Sequence, residues 1–455
     1  MKILDSPQKS KLTQLPQWVF NPLKLLETTA REHGDCFTLW LTSNKPMVLF
    51  SNPQAIQQIF TAQLEQLDAR GSSQLLQPLL GKNSLILLSG ASHQRQRRLL
   101  TPPFHGERMK AYGQVIANIT NQVINGWKIG EPFSIRDSMQ EISLKVILQA
   151  VFGLREGERF TRLQELLGSV LDLSGSPLRA TLMFFPALQV DWGTWSPWGK
   201  FLRQMQQIDQ LIYTEIQERR DQPNSSRSDI LSLMMSARDD NGEPMTDVEL
   251  RDELMTLLVA GHETTASGLT WALYWIHHVP EVRTKLLAEL DNIGENPDWN
   301  EVSRLPYLTA VCQETLRIYP IIMLAIPRVV KSPIEIMGYE FQPGTLLSPC
   351  IYLTHHRPDL YPEPKQFKPE RFLERQYSQY EYLPFGGGNR RCIGMAFAMF
   401  EMKLVLATVL SQMELALIDN YLVKPTRRGI TLAPSGGKWL VATSQRQKVK
   451  TPVEV

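Results

Sequence analysis

A ten-residue segment near the carboxyl end of the chain constrains its fold and chemistry more than any other feature. It reads Phe385-Gly386-Gly387-Gly388-Asn389-Arg390-Arg391-Cys392-Ile393-Gly394 and leads into an apolar run from Met395 to Met413. Neighbouring cations and a helix amino terminus favour a thiolate, and glycines let backbone N–H groups approach the sulfur. The segment therefore predicts a metal-binding cysteine on a loop with room for a flat macrocycle. The alternative is a buried free cysteine in a glycine-rich turn.

A long helix is predicted between a capping box at Thr246-Asp247-Val248-Glu249 and Pro280. Its middle contains Ala260-Gly261-His262-Glu263-Thr264-Thr265. A mid-helix glycine costs about 1 kcal/mol relative to alanine, and a threonine hydroxyl can bond the carbonyl four residues back. Together they open a groove beside an acid, which suits dioxygen binding and proton delivery. The alternative is a buried helix with a satisfied threonine, and we interpret His262 as a packed or solvated residue.

Two further motifs carry charge in positions where a cofactor or a buried network would use it. Glu314 and Arg317 share one face of an apolar helix, and Pro369-Glu370-Arg371-Phe372 precedes the cysteine segment. His93 and Arg97 are also one helical turn apart. The alternative for the segment His93 to Arg98 is a solvated basic face.

The spacing of Phe385, Gly388, Arg390, Cys392 and Gly394 resembles the haem-binding loop of the cytochrome P450 superfamily. The other motifs follow in the order of that family, and the resemblance covers nearly the whole chain. It implies a mainly α fold with small β-sheets, formed by residues 1–455 as a single domain. It also implies haem b between the long central helix and the cysteine loop.

The resemblance implies a role for each matching residue. Cys392 would be the axial ligand and only protein ligand of the iron, and Thr264 and Glu263 would be the catalytic proton relay. Glu314, Arg317 and Arg371 would form a buried structural network. The predicted haem contacts are His93, Arg97, Arg328, Arg390, Phe385, Gly386, Gly394, Ala260 and Gly261, with His355 as a further propionate contact.

A substrate pocket is predicted only by position. Its candidates are apolar, no charged anchor is evident among them, and core packing is the alternative for about half of them. The candidates are Leu85, Leu87, Phe184, Leu257, Ile322, Met323, Leu324, Ala433 and Pro434. The pattern favours a small lipophilic substrate, and the resemblance is to bacterial, including cyanobacterial, fatty-acid and terpenoid hydroxylases.

Composition sets the expected partners and location. Lys and Arg total 48 against 46 for Asp and Glu, which argues against general nucleic-acid binding. The four cysteines form no CxxC pair, the N-terminus lacks a signal-peptide core, and no run reaches the roughly 18 apolar residues of a membrane span. We expect a cytoplasmic monomer, although Trp192, Trp195 and Trp198 could touch a membrane surface if they are not packed in a loop.

The predicted activity is monooxygenation of the lipophilic substrate with O₂. The sequence contains no recognisable flavin or Fe–S motif, so the electrons are expected from a ferredoxin and ferredoxin reductase supplied by NAD(P)H. Three alternatives are a haem-thiolate peroxygenase or isomerase, a non-enzymatic haem-thiolate sensor, and a helical protein without haem. The intact Glu263-Thr264 pair argues against the first two.

Overall fold

The computed structural model describes residues 11–41, 46–69, 76–104, 108–154, 157–171, 189–222, 227, 229–293, 298–418, 423–435, 437 and 439–446. Phe184, a predicted pocket residue, lies outside the described residues. Within these ranges the predicted mainly α fold with small sheets is confirmed. The helices are α1 (Lys11–Phe20), α2 (Pro22–His33), α3 (Pro53–Thr61), α4 (Gln77–Leu80), α5 (Gly90–Leu100), α6 (Arg108–Ile124), α7 (Ile135–Phe152), α8 (Glu158–Leu171), α9 (Pro197–Asp221), α10 (Ile230–Ser236), α11 (Asp247–His278), α12 (Pro280–Asp291), α13 (Trp299–Arg304), α14 (Pro306–Ile318), α15 (Ile351–His355), α16 (Arg371–Glu374) and α17 (Met395–Gln412).

The strands form small sheets that join distant parts of the chain. They are β1 (Cys36–Leu39), β2 (Met47–Phe50), β3 (Leu67–Asp68), β4 (Pro132–Phe133), β5 (Arg328–Val330), β6 (Ile334–Ile336), β7 (Tyr339–Phe341), β8 (Leu346–Pro349), β9 (Met413–Leu417), β10 (Pro425–Arg428), β11 (Thr431–Pro434) and β12 (Leu440–Gln445). The largest sheet has the order β1-β2-β8-β5-β3, in which β2 pairs antiparallel with β1 and parallel with β8. This sheet holds Arg328, at the start of β5, in the interior of the protein.

The central helix α11 begins and ends for local reasons. The Glu249 N–H donates to Thr246 Oγ1 at 3.2 Å, and the Thr246 N–H donates to Glu249 Oε2 at 2.8 Å. These two bonds form the predicted capping box. At the other end Pro280 starts α12, because proline suits the first turn of a helix but not its interior. The 32 residues of α11 span about 48 Å and pack against α7, α14 and α17.

Helix α17 follows the cysteine loop directly and is the most apolar long helix. It is the one helix within the described ranges with the length and hydropathy of a membrane span, and 61% of its apolar window is buried inside the protein. Its buried residues join those of α7, α11 and α14 in the main hydrophobic core. Its composition therefore matches that of a core helix, for which burial supplies the same apolar environment as lipid.

The three tryptophans near the start of α9 differ in exposure. Trp192 is 73% exposed and Trp195 is 93% exposed in the loop before the helix, whereas Trp198 is buried in its first turn with its ring 5.0 Å from that of Phe201. The expected loop packing is therefore not found for Trp192 and Trp195, and Trp198 packs as part of a helix.

Candidate functional site

The cysteine loop is shaped by its glycines. The Cys392 N–H donates to the Phe385 carbonyl at 2.9 Å, and Gly388–Arg390 form a short 3₁₀ turn between them. A Cβ atom at Gly387 would lie 2.3 Å from the Phe60 ring, and one at Gly388 would lie 2.7 Å from the Phe60 carbonyl oxygen. Gly388 also has a φ of 63°, which side chains disfavour. The loop therefore seats on the end of α3 only because these positions carry no side chain.

The Cys392 thiol is accessible to water although protein surrounds it on nearly every side. Burial raises its pKa, while a hydrogen bond from the Gly394 N–H and the charges of Arg97 and Arg391 lower it. Burial has the larger effect, so the two arginines and the helix amino terminus do not make a thiolate by themselves. Coordination to a metal ion deprotonates a thiol outright, and a site of this kind therefore needs the metal to complete it.

Helix α11 opens at the predicted groove. Ala260 is exposed, and Val259, Gly261, Glu263 and Thr264 are partly exposed, whereas the rest of the helix from Leu250 to Ile276 is buried. Thr264 Oγ1 donates to the Ala260 carbonyl at 2.6 Å, and a Cβ at Gly261 would meet Ile147 of α7 at 3.1 Å. The exposed groove residues mark open space beside a core helix, and this space is where a small molecule could lie.

Glu263 lies on the α7 side of the groove and is held by three partners. Arg136 donates to both carboxylate oxygens at 2.8 and 2.9 Å, Gln140 donates at 3.0 Å, and Ser267 donates at 3.3 Å. Sequence reasoning missed Arg136 and Gln140, because they lie more than 120 residues away and belong to no motif. His262, the neighbour of Glu263, is buried with Nε2 3.2 Å from the Gln140 carbonyl. The His262 ring is thus packed against α7, in agreement with one of the two expected placements.

Four basic residues from three parts of the chain come together between α5, β5 and the cysteine loop. Burial lowers the pKa of Arg328 and of Arg390 to about 10, and burial together with the surrounding arginines lowers that of His93 to about 3. Burial also lowers the pKa of Arg97. His93 is consequently neutral at pH 7 and can offer one ring N–H donor, whereas the three arginines remain charged.

This basic cluster lacks enough negative charge of its own. Among the described residues, no carboxylate forms an ion pair with Arg97, Arg328 or Arg390; Asp68 is nearby, but it pairs with Lys331 at 3.0 Å. Arg390 donates to the Leu85 carbonyl at 3.1 Å and to that of Leu88, and its Nε is buried with no partner. Buried cations without a counter-ion are costly, so the cluster fits a bound dianion such as the two propionates of haem.

The predicted buried network is also brought together. Glu314 and Arg317 are both fully buried and form two hydrogen bonds, of 2.6 and 2.9 Å. Arg371 Nε lies 3.2 Å from Glu314 Oε1, and the Lys368 N–H donates to the same oxygen at 2.8 Å. Arg317 also donates to the carbonyls of His355, Pro364 and Gln366. The network thereby fastens the chain between α15 and α16 to helix α14.

The structure does not support His355 as a propionate contact. Its Nε2 accepts a hydrogen bond from the Leu383 N–H at 2.9 Å, its carbonyl accepts one from Arg317, and its ring stacks on that of Tyr382. Burial lowers its pKa well below the usual range. His355 therefore belongs to the buried network and is separate from the basic cluster.

The pocket candidates divide into exposed and buried residues. Leu87 and Ile322 are partly exposed, consistent with a place beside the open space, whereas Leu324, also partly exposed, packs against the core cluster that contains Leu25 and Leu26. Met323 is a correction: burial alternates along this segment, and Met323 packs with Leu25 and Leu26 in a separate core cluster. Leu85, Leu257, Ala433 and Pro434 are also buried, so core packing describes them better than a pocket lining.

Comparison with known proteins gives one family. The family model described as Cytochrome P450 matches residues 11–441. A protein of Mycobacterium tuberculosis (strain ATCC 25618 / H37Rv) described as putative cytochrome P450 135B1 is 34% identical over 439 residues, which cover 96% of this chain and 90% of that protein. Putative cytochrome P450 138 of the same strain is 35% identical over 94% of this chain and 93% of that protein.

Solved structures agree in fold. The haem domain of cytochrome P450DA aligns with a TM-score of 0.85 over 98% of this chain and 99% of that domain, at 22% identity. The cyanobacterial protein CYP120A1 with bound retinoic acid aligns with a TM-score of 0.79 over 94% of this chain and 96% of that one, at 25% identity. The accessible thiol, the groove and the basic cluster are thus found in a chain of this fold.

Proposed function

The chain belongs to the cytochrome P450 family of haem-thiolate monooxygenases, and on that premise we propose that it hydroxylates a lipophilic molecule, a fatty acid or a terpenoid. The observation that carries the proposal is the enclosed but accessible Cys392 thiol in a chain whose central helix is exposed at Ala260. The partly exposed Leu87 and Ile322 support an apolar substrate. The similarity to a cyanobacterial protein with bound retinoic acid supports a lipophilic one.

The haem-binding residues are proposed from their placement. Cys392 Sγ would bind the iron, and Arg97, Arg328, Arg390 and His93 would bind the propionates. Phe385, Gly386, Gly394, Ala260 and Gly261 would contact the two faces of the ring. When bound, a thiolate-ligated haem supplies the activation of O₂.

Proton delivery is proposed for Thr264 and Glu263. The Thr264 hydroxyl donates its own proton to the Ala260 carbonyl, which leaves its oxygen lone pairs free to accept a proton donor in the groove. Glu263 directly precedes Thr264, lies about 100° away from it around the helix axis, and is held on the α7 side by Arg136. A water molecule or a rotation of Glu263 away from Arg136 must therefore connect the two groups during turnover.

Replacing Thr264 with alanine tests this relay. We expect product formation to fall about 10²-fold, the low end of the usual range for a lost proton-transfer group, with haem content and substrate binding unchanged. Thr264→Ser, which keeps the hydroxyl, should restore most of the activity. The measurement is product formed per NAD(P)H consumed with a ferredoxin system. An unchanged ratio in the alanine variant would favour the peroxygenase or sensor alternatives.

Replacing Arg97 with glutamine tests the basic cluster. The Arg97 guanidinium makes no hydrogen bond or ion pair with any described residue, so its loss should leave the fold intact. We expect haem to transfer to apomyoglobin about tenfold faster, because one charge-assisted contact of about 1.5 kcal/mol is weakened. Arg98→Gln, on the same helix but paired with Asp240 at the surface, is the control. Equal rates in the two variants would remove Arg97 from the haem site.

The electron donor is proposed to be a separate ferredoxin, reduced by ferredoxin reductase and NAD(P)H. Arg391 is exposed one residue from Cys392, and a basic residue there suits an acidic donor protein. We further propose that residues 1–455 act as one domain, as a monomer in the cytoplasm. The free state of all four cysteines is compatible with a reducing compartment.

Titration of the ferric haem protein with fatty acids, sesquiterpenes and steroids tests the substrate class. A shift of the Soret band toward high spin with one class, followed by hydroxylated product in the reconstituted system, is the expected result. The absence of any shift, in protein with a normal reduced CO spectrum, would contradict the lipophilic substrate and retain the monooxygenase.

A further inference from the structure

Glu253 is a buried acid on the groove face of α11. It precedes Ala260 by seven residues and Thr264 by eleven, so each of the two lies within about 20° of Glu253 around the helix axis, and all three lie within a sector of about 40°. Leu257 lies between them on the same face. Glu253 therefore lies on the same face of α11 as Ala260 and Thr264, and Ala260 lies between the other two along the helix axis.

The Glu253 carboxyl has no partner. Its side chain is fully buried, and neither oxygen has a hydrogen-bond partner among the described residues. The Leu85 backbone lies against it without reaching normal hydrogen-bond geometry. Burial, with smaller contributions from the charges of Asp252 and Glu249, raises the pKa of Glu253 to about 8, so the carboxyl is protonated at neutral pH. A protonated carboxyl can both donate and accept a hydrogen bond.

The segment 83–88 covers this carboxyl and connects it to the basic cluster. Asn83 donates to Asp252 twice, at 2.9 Å each, and Thr256 donates to Ser84 Oγ at 2.7 Å. Arg390 holds the Leu85 and Leu88 carbonyls from the other side. These bonds give hydrogen-bond partners to Asp252 and Thr256, the polar neighbours of Glu253 on α11. The Glu253 carboxyl receives no such bond from this segment. Folded proteins keep very few buried polar groups unpaired, and such a group commonly awaits a ligand or a water molecule.

We propose that Glu253 is a specificity residue that hydrogen-bonds an oxygen-bearing group, a hydroxyl or carboxyl, at the end of the substrate remote from the oxidised carbon. This inference rests on the proposed function and narrows its substrate class to lipophilic molecules with a polar end. At 1.5 Å per residue, Glu253 lies about 10 Å from Ala260 and about 16 Å from Thr264 along the axis. The oxidised carbon should therefore lie about 10–16 Å from the polar end. The Leu85 backbone lies beside the carboxyl and the Leu257 side chain is buried between Glu253 and Ala260, so segment 83–88 and Leu257 must both move aside when the substrate binds.

Paired ligands test the proposal. Ferric protein is titrated with 1-alkanols and n-alkanes of equal length from dodecane to hexadecane, with the spin-state shift as the readout. We expect the wild type to bind an alkanol about tenfold more tightly than the matched alkane. Glu253→Leu should bring the ratio of dissociation constants to about one while affinity for the alkane is retained, and Glu253→Gln should keep most of the preference.

Glu401→Gln is the matched control. Glu401 is a second buried acid, on α17 beside Ser143 of α7, and burial raises its pKa to about 8 as well. The Glu401→Gln substitution should not affect the ratio of the alkane and alkanol dissociation constants. If Glu253→Leu fails to fold, Glu253→Met serves in the same titration.

Two outcomes would overturn the inference: a wild-type ratio near one, or an unchanged ratio in the apolar variants, which would mean that Glu253 binds only buried water. In both cases the alkane still shifts the spin state of the ferric haem protein. Failure of the proposed function looks different, because then no lipophilic ligand shifts the spectrum of the wild type.

Discussion

Replacing Cys392 with serine is expected to abolish monooxygenation, with product formation reduced at least about 10³-fold, equivalent to about 4 kcal/mol in the activation barrier. The hydroxyl of serine is a poor ligand and supplies none of the electron density that a thiolate gives to iron. The Cys392 thiol is accessible and close to Arg97, so the substitution removes the ligand without disturbing the packed core. The measurement is the reduced CO spectrum, which should lose its far-red-shifted Soret peak, together with turnover.

Cys36→Ser is the control for this prediction, because Cys36 is a buried thiol in strand β1 whose pKa is raised to about 12 by burial. It should keep the red-shifted peak. A wild-type protein whose CO peak already lies at the histidine-ligated position, without denaturation, would contradict the assignment of Cys392.

Replacing Glu314 with alanine is expected to lower the free energy of unfolding by about 3–5 kcal/mol, because it leaves the fully buried Arg317 without its counter-ion. Arg371 and the Lys368 N–H lose the same acceptor. The network joins α14 to the chain that precedes the cysteine loop, so we also expect a lower haem content. Urea unfolding followed by circular dichroism, with haem content measured on the same sample, checks both effects.

Glu363→Gln is the matched surface control. Glu363 pairs with Lys368 at the exposed side of the same region, and its loss should leave the free energy of unfolding almost unchanged because water screens the pair. The double variant Glu314→Leu with Arg317→Met should lose less stability than the sum of the single losses, since the buried Arg317 charge is removed together with its counter-ion and, of the charged groups, only Arg371 still loses an acceptor. Strict additivity would mean that the two groups do not act as a pair.

Local chemistry was sufficient to predict several elements. The capping box at Thr246 and the proline at position 280 correctly predict where α11 begins and ends, because both act through backbone groups within one helical turn. Spacing also brought Glu314 next to Arg317, since residues three apart on a helix are neighbours.

Prediction was weakest where contacts cross long stretches of chain. The partners of Glu263 come from α7, more than 120 residues earlier, and β2 pairs with β8 across about 300 residues. Met323 follows Ile322 directly but faces a different core cluster, because burial alternates along this extended segment. His355 carries a group that could bind a propionate, yet the fold commits it to Leu383.

The sequence by itself determined the chemistry of this protein: a cysteine in a glycine-rich loop, an acid and an alcohol on one long helix, and an acid–base pair one turn apart. These depend on residue type and spacing, which are local. Only the tertiary structure decided which charges meet, which remain without a counter-ion and which are buried. That is why the basic cluster lacks negative charge and why Glu253, an ordinary helical glutamate in the sequence, lies protonated and unpartnered in the core. Burial and the loss of water set the energy of a charge, and both depend on how distant segments pack.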